Sequence, residues 1–247
     1  MSDLIRVGTS GWHYLHWLGP FYPEDIDSRE MLSFYCQRLR TVEINSSFYH
    51  LPSQNTFRSW KEGTPADFLF AVKASRYITH MKKLKDPAPA VEKFLHHAQE
   101  LGSKLGPILF QLPPYWRRDA ARLADFLREL PKEHRYAFEF RDSSWFHREV
   151  YTLLEQHSAA FCIFDLAGRQ SPALLTADFV YLRLHGPSEY KYAGRYSRAQ
   201  LRAWLRRATD WVEHGAQQVF IYFDNDQAGY AALNALELQE MARSEKL

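Results

Sequence analysis

Residues 179–185 read FVYLRLH, and the alternation in that short run decides how the chain folds. Val180, Leu182 and Leu184 share one parity, and Tyr181, Arg183 and His185 share the other. A period of two predicts a β-strand with an apolar face and an ionisable face. The same pattern recurs upstream. In RYAFEFR, Arg135–Arg141, Tyr136, Phe138 and Phe140 oppose Ala137, Glu139 and Arg141. In TVEINSS, Thr41–Ser47, Val42 and Ile44 oppose Glu43 and Asn45.

Working outward, eight short runs read as strands: Ile5–Ser10, Thr41–Ser47, Phe68–Ser75, Pro107–Leu112, Arg135–Arg141, Ala160–Asp165, Phe179–His185 and Gln218–Asp224. Helical patterns fall between and after them at Ser28–Arg40, Gln54–Glu62, Ala88–Leu101, Ala120–Glu129, Phe146–Gln156, Arg198–His214 and Ala228–Ala242. Strands alternating with helices predict βα units around a parallel sheet. Eight such units in 247 residues match a (β/α)₈ TIM-type barrel as a single domain, with no Gly/Ser linker or charge block to mark a second. The connection between the sixth and seventh strands, Leu166–Asp178, is Gly/Pro-marked and too short for a full helix. A doubly wound open sheet is the alternative, but GTSGW after the first strand does not fit the GxGxxG phosphate loop.

In a barrel, outward strand faces pack on helices and functional groups gather where strands end. The inward upper layer is then expected to hold Glu43, Asn45, Lys73, Gln111, Glu139, Arg141, Asp165, Arg183 and His185, with Asp224 and Asn225 ending the last strand. Burying one unpaired ion costs several kcal/mol, so a layer this rich in ionisable groups reads as a site. The bland alternative is an ion-pair network that closes the barrel top.

Composition narrows the choices. With 31 basic and 29 acidic side chains the net charge is +2, without the excess of a dedicated non-specific nucleic-acid binder. Cys36 and Cys162 lie far apart in apolar settings, which predicts buried thiols rather than a disulfide framework. No leader pattern and no apolar run of about 18 residues is seen, so the expected location is cytoplasmic, with no membrane partner. Aromatic residues make up 15% of the chain. Trp12, Trp17, Tyr49, Trp116, Trp145 and Tyr192 follow predicted strands and are expected to wall the pocket, whereas Trp60, Trp204 and Trp211 lie on helices and are expected to pack against the barrel.

The motifs themselves are familiar. GTSGW at Gly8–Trp12, FYP at Phe21–Pro23, VEINSSFY at Val42–Tyr49, GPILFQLPP at Gly106–Pro114, FEFRDSSW at Phe138–Trp145, YLRLHG at Tyr181–Gly186 and IYFDNDQAGYAALNA at Ile221–Ala235 together resemble the YecE-like family, also called domain of unknown function 72. The resemblance spans nearly the whole chain in order and implies a TIM-type barrel. It implies no established chemistry. His13, His50 and Asp224 depart from the family pattern and carry less weight.

Chemistry must therefore come from the residues. The expected catalytic set is Glu43, Lys73, Glu139, Asp165, Arg183 and His185, and the expected substrate-binding set is Trp12, Asn45, Tyr49, Gln111, Arg141, Trp145, Tyr192 and Asn225. One of Glu43 or Glu139 would be protonated as general acid while the other stays ionised. Lys73 is expected to pair with Glu43; the alternative is a Schiff base if burial and neighbouring cations depress its pKa. Lys73, Arg141 and Arg183 would repel a metal ion, so neither metal nor cofactor is expected. Basic residues interleave with aromatics at Arg76–Lys85, at YWRR (Tyr115–Arg118) and around Lys191, Arg195 and Arg198, as suits an anionic ligand. The first expectation is a metal-independent hydrolase or lyase acting on an anionic sugar- or phosphate-containing substrate. The alternatives are a non-catalytic binder of single-stranded or damaged nucleic acid, a metal-dependent isomerase- or endonuclease-like enzyme, and a small-molecule sensor or scaffold. Oligomeric state is left open.

Overall fold

The computed structural model describes residues 4–244, so Met1–Asp3, which belong to the leader reading, lie outside the described residues. Nine strands form one sheet: β1 (Ile5–Ser10), β2 (Thr41–Ile44), β3 (Leu69–Lys73), β4 (Leu105–Gln111), β5 (Tyr136–Glu139), β6 (Ala160–Leu166), β7 (Arg169–Gln170), β8 (Phe179–Leu184) and β9 (Gln218–Phe223). The order β5-β4-β3-β2-β1-β9-β8-β6, with β5 also paired to β6, closes eight parallel strands into a barrel. β7 is an antiparallel addition to β6 and occupies the short connection where no helix was expected.

The helices are α1 (Met31–Cys36), α2 (Ser46–Tyr49), α3 (Gln54–Glu62), α4 (Ala88–Ala98), α5 (Ala120–Arg128), α6 (Arg148–Gln156), α7 (Arg198–Glu213) and α8 (Tyr230–Ser244). Their starts are chemically marked. Ser53, Asp119 and Ser197 accept hydrogen bonds from the exposed N–H groups of α3, α5 and α7, and Ser197 completes a capping box with Gln200. α2 begins within the run Thr41–Ser47 that was expected to continue as strand. There the Ser47 hydroxyl donates to the carbonyls of Ile44 and Lys73, which ends β2 and turns the chain across the barrel top.

The alternation works as the sequence implied. Outward residues such as Val42, Ile44, Phe138, Leu182 and Ile221 join the helix-packed core. Inward residues Ala71, Leu109, Ala137, Ala160, Cys162, Phe179, Tyr181, Phe220 and Tyr222 form a separate apolar plug in the lower barrel. The polar layer stands on that plug. Both cysteines are free and buried, with burial pushing the Cys36 thiol up to about 12. Gly8 is required by close approach, because a Cβ there would lie 2.1 Å from the Thr41 carbonyl oxygen. Gly186 combines φ of +111° with a comparable clash against Ala193, which fixes the turn out of β8. No helix among the described residues is long and apolar enough to cross a membrane.

Candidate functional site

Arg183 stands at the centre of the barrel mouth. It is 1% exposed, and its guanidinium donates to Glu43 Oε1 at 2.8 Å, Glu139 Oε2 at 2.7 Å and Asp224 Oδ2 at 3.2 Å. Glu43 also accepts from Ser10 Oγ and from Tyr181 Oη at 2.7 Å. Glu139 also accepts from Gln111 Nε2 at 3.0 Å and forms an ion pair with Arg141 Nε. Both glutamates are fully buried, and every one of these partners sits on an inward parity.

Electrostatics follow from that geometry. Burial alone would raise the Glu139 carboxyl, but Arg141, Arg183, His185 and Lys73 together hold it well below the usual carboxylate range. Asp224 is likewise lowered despite burial, chiefly by the hydrogen bond from His185 and by Arg183. Burial and the two arginines push His185 down to about 4, so it is neutral near pH 7. Its Nε2 faces guanidinium N–H groups of Arg141 at 3.2 Å and Arg183 at 3.4 Å and must accept. The proton then sits on Nδ1, which donates to Asp224 Oδ2 at 2.9 Å. Of the two glutamates it is Glu139 that is held ionised, while Glu43 accepts from three donors, Ser10, Tyr181 and Arg183.

Lys73 differs from all of these. It ends β3, is 8% exposed, and enters no ion pair among the described residues, so the expected pairing with Glu43 does not form. Arg183 already takes both glutamates. The Lys73 ammonium lies instead 4.2 Å from the ring centroid of Phe48, on α2. Burial first, then Arg183, lower its pKa to about 8 against the opposing pull of Glu43, Glu139 and Asp224. The same corner drives His80 down to about 4, through burial and then through Lys73, Arg76 and Arg141. Arg141, 10% exposed, and Asp224, 14% exposed, are the other charged groups of the network that reach the mouth.

The other expected site residues separate into two groups. Gln111 and Asn45 belong to the mouth, where Asn45 Nδ2 donates to Ser10 Oγ at 2.5 Å and its Oδ1 is buried with no partner. Trp12, Tyr49 and Asn45 line a cleft of about 870 Å³ beside the mouth, with Tyr14 and Trp60. Trp60 therefore does more than pack, meeting Trp12 edge to face at 5.1 Å. Tyr192 is exposed on the loop after β8, its ring 5.5 Å from that of His185.

Four residues are misplaced by the sequence reading. Asp165 is not in the inward layer: Ala160, Cys162 and Phe164 take the inward parity of β6, so Asp165 faces outward, where it accepts from Tyr196 Oη at 3.1 Å and burial raises its pKa. Asn225 is fully buried and holds loops together, donating to Gly194 O at 2.9 Å and Asn234 Oδ1 at 3.0 Å. Trp145 is no substrate wall. It is fully buried, donates to Trp116 O at 2.6 Å and stacks on Phe140. Trp17 is buried too, bonded to Asp226. The exposed rings on this face are tyrosines instead: Tyr49, Tyr77, Tyr115, Tyr190 and Tyr192 all follow strand ends. Tyr115 and Tyr192 do so with positive φ of 64° and 62°.

The sequence reading also missed partners. Ser10 and Tyr181 complete the shell of Glu43, and Asp224 orients His185. Parity had the signal, since Phe220 and Tyr222 put Asp224 inward and Gly8 puts Ser10 inward.

Comparison with known proteins agrees with the fold and leaves the chemistry open. The chain is 25% identical to the UPF0759 protein YunF of Bacillus subtilis, over 96% of this chain and 94% of that one. A crystal structure of a DUF72 family protein from Thermotoga maritima superposes with a TM-score of 0.89 at 29% identity, covering 97% of this chain and 99% of the other. One from Enterococcus faecalis superposes at 0.84 with 20% identity, covering 97% and 95%. The family model described as protein of unknown function DUF72 matches residues 6–247, and with the barrel and its mouth accounted for, the chain belongs to that family.

Proposed function

We propose that the barrel mouth is the active site of a metal-independent hydrolase or lyase whose substrate is anionic and carries a sugar or phosphate. One observation carries this reading: Lys73 is a nearly buried ammonium at the C-terminal end of a barrel strand that makes no direct ion pair among the described residues, Glu43, Glu139 and Asp224 acting on it only through space. A cation held in that state is costly to the fold and is matched by an anion from outside. Arg141 stands in the same corner with guanidinium N–H groups beyond those bound to Glu139 and His185. The cleft lined by Trp12, Asn45 and Tyr49 offers room beside it for the uncharged part of the substrate.

The donor set favours anion over metal. Glu43, Glu139 and Asp224 each already bind a guanidinium, and no group of three or more His, Cys, Asp or Glu among the described residues is arranged to hold a metal ion. In this reading Glu43, Glu139 and Asp224 are positioning residues that fix Arg183, Arg141 and His185. The groups presented to substrate are Lys73, Arg141 and Gln111.

Thermal unfolding in the presence of inorganic phosphate and of a panel of sugar phosphates tests the proposal. Saturating anion should raise stability by about 2.7 kcal/mol at a hundredfold excess over Kd. The gain should vanish in Lys73→Met and Arg141→Gln. Stabilisation by no anion, or stabilisation that survives both substitutions, refutes the reading.

A second reading, a single-stranded nucleic-acid binder, is favoured by the exposed tyrosines among basic loops on the same face. It requires oligonucleotide affinity that falls steeply with salt and weakens in the double variant Lys82→Ala, Lys83→Ala.

A further inference from the structure

The position of Lys73 supports a step beyond holding an anion. We propose that Lys73 is the covalent nucleophile of the site and forms an imine with the carbonyl carbon of a small anionic aldehyde or ketone. This rests on the reading of the mouth as an anionic substrate site and names the substrate class for it.

The geometry separates the lysine from the groups that would silence it. A lysine paired to a carboxylate keeps its proton and its lone pair is unavailable. Here Glu43, Glu139 and Asp224 act on Lys73 only through space, because their direct bonds go elsewhere: Glu43 to Arg183, Ser10 and Tyr181, Glu139 to Arg183, Arg141 and Gln111, and Asp224 to Arg183 and His185. Phe48 covers one side of the ammonium with a ring. Arg183 adds positive charge at Lys73, and Arg141 acts together with Lys73 on the neighbouring His80. Desolvation and neighbouring cations are the two conditions that make a lysine reactive at neutral pH. At the resulting pKa of about 8, Lys73 carries roughly two orders of magnitude more free amine at pH 7 than an ordinary lysine. Arg141 is the matching anchor, since it can hold a carboxylate or phosphate of the substrate while the carbonyl meets Nζ.

The step balances without another reagent. The Nζ lone pair attacks the carbonyl carbon as the C–O π pair moves to oxygen, and a proton passes from nitrogen to that oxygen to give a carbinolamine. Protonation of the hydroxyl by solvent lets the C–O bond break, water leaves, and a protonated imine remains. That cation can take up the electron pair of an adjacent breaking C–C or C–H bond, which is lyase rather than hydrolase chemistry. Hydrolysis returns the lysine.

The test is reductive trapping with cyanoborohydride at pH 7 in the presence of pyruvate, glyoxylate, dihydroxyacetone phosphate or glyceraldehyde 3-phosphate, followed by peptide mapping. Phosphate binding to the wild type and to Lys73→Met is measured in parallel. At least one carbonyl should label Lys73 about tenfold or more above every other lysine, with inorganic phosphate suppressing the label. If labelling is confined to surface lysines while Lys73→Met still loses phosphate binding, the imine is refuted and the anion site stands. If Lys73 is unlabelled and phosphate binding is absent or unchanged in Lys73→Met, both fall together.

Discussion

Two halves of one barrel mouth treat buried charge in opposite ways. On the Arg183 side, one guanidinium is shared by Glu43, Glu139 and Asp224, and His185 is fixed in one tautomer between arginine and aspartate. On the Lys73 side, a buried ammonium lies against an aromatic ring and makes no direct ion pair among the described residues, with Glu43, Glu139 and Asp224 acting on it only through space. The difference teaches where to look for function. A satisfied network of this kind is a scaffold that rigidifies, whereas an unsatisfied charge is kept at a cost and marks the ligand's place.

Removing one member of each half should therefore move stability in opposite directions, and the largest effect belongs to the closed half. Arg183→Met takes the central guanidinium from three carboxylates, two of them fully buried, and should cost about 3–5 kcal/mol in urea unfolding. A loss below about 1 kcal/mol would mean that the network is not closed around Arg183.

Next in size is the acid limb of stability. His185 titrates at about 4 when folded against 6.5 when free, so between those values the unfolded chain binds more protons. Stability falls as pH drops from about 6.5 to 4, by about 3 kcal/mol for this group. His80 shifts in the same window, so the check is a comparison of urea midpoints across pH for wild type and His185→Asn. The variant should show a shallower fall; an unchanged slope would remove His185 from the neutral, aspartate-bound role.

On the open half the sign reverses. Lys73→Met removes a buried cation that makes no direct ion pair and should raise stability at pH 7 by about 1–3 kcal/mol. With a folded pKa of about 8 against 10.5 unfolded, wild type binds fewer protons than the unfolded chain across that interval and gains stability as pH rises through it. The advantage of the methionine variant should shrink over the same range. A destabilised Lys73→Met would make the lysine a structural residue like Arg183.

The rim should register least. Tyr115 is 93% exposed, so Tyr115→Ala should change stability by less than about 0.5 kcal/mol. Its effect is expected only on binding of a ring-bearing ligand, by fluorescence titration.

Most of the barrel was legible because alternation was strong in β2, β5 and β8, and those strands supplied Glu43, Glu139, Arg183 and His185 to the mouth. Asp165 was misread because its position at a strand end was weighed above its parity, and Asp224 was undervalued although parity placed it inward. Tryptophan position was a poor guide. Trp145 and Trp17 follow strands just as Trp12 does, yet their indoles turn into the core, where their N–H groups find a carbonyl and a carboxylate. The partner of Lys73 could not be read from sequence, since it depends on how the barrel's stagger sets β3 against β2, β4 and β8.

The contrast between the two halves rests on Lys73, and its titration can be read directly. Trace labelling of amines with acetic anhydride across pH 6–11, quantified by peptide mass spectrometry, gives the midpoint of each lysine in the folded protein. Lys73 should titrate near 8. A midpoint at or above the ordinary 10.5 would show a lysine neutralised by a carboxylate and would contradict the open half altogether.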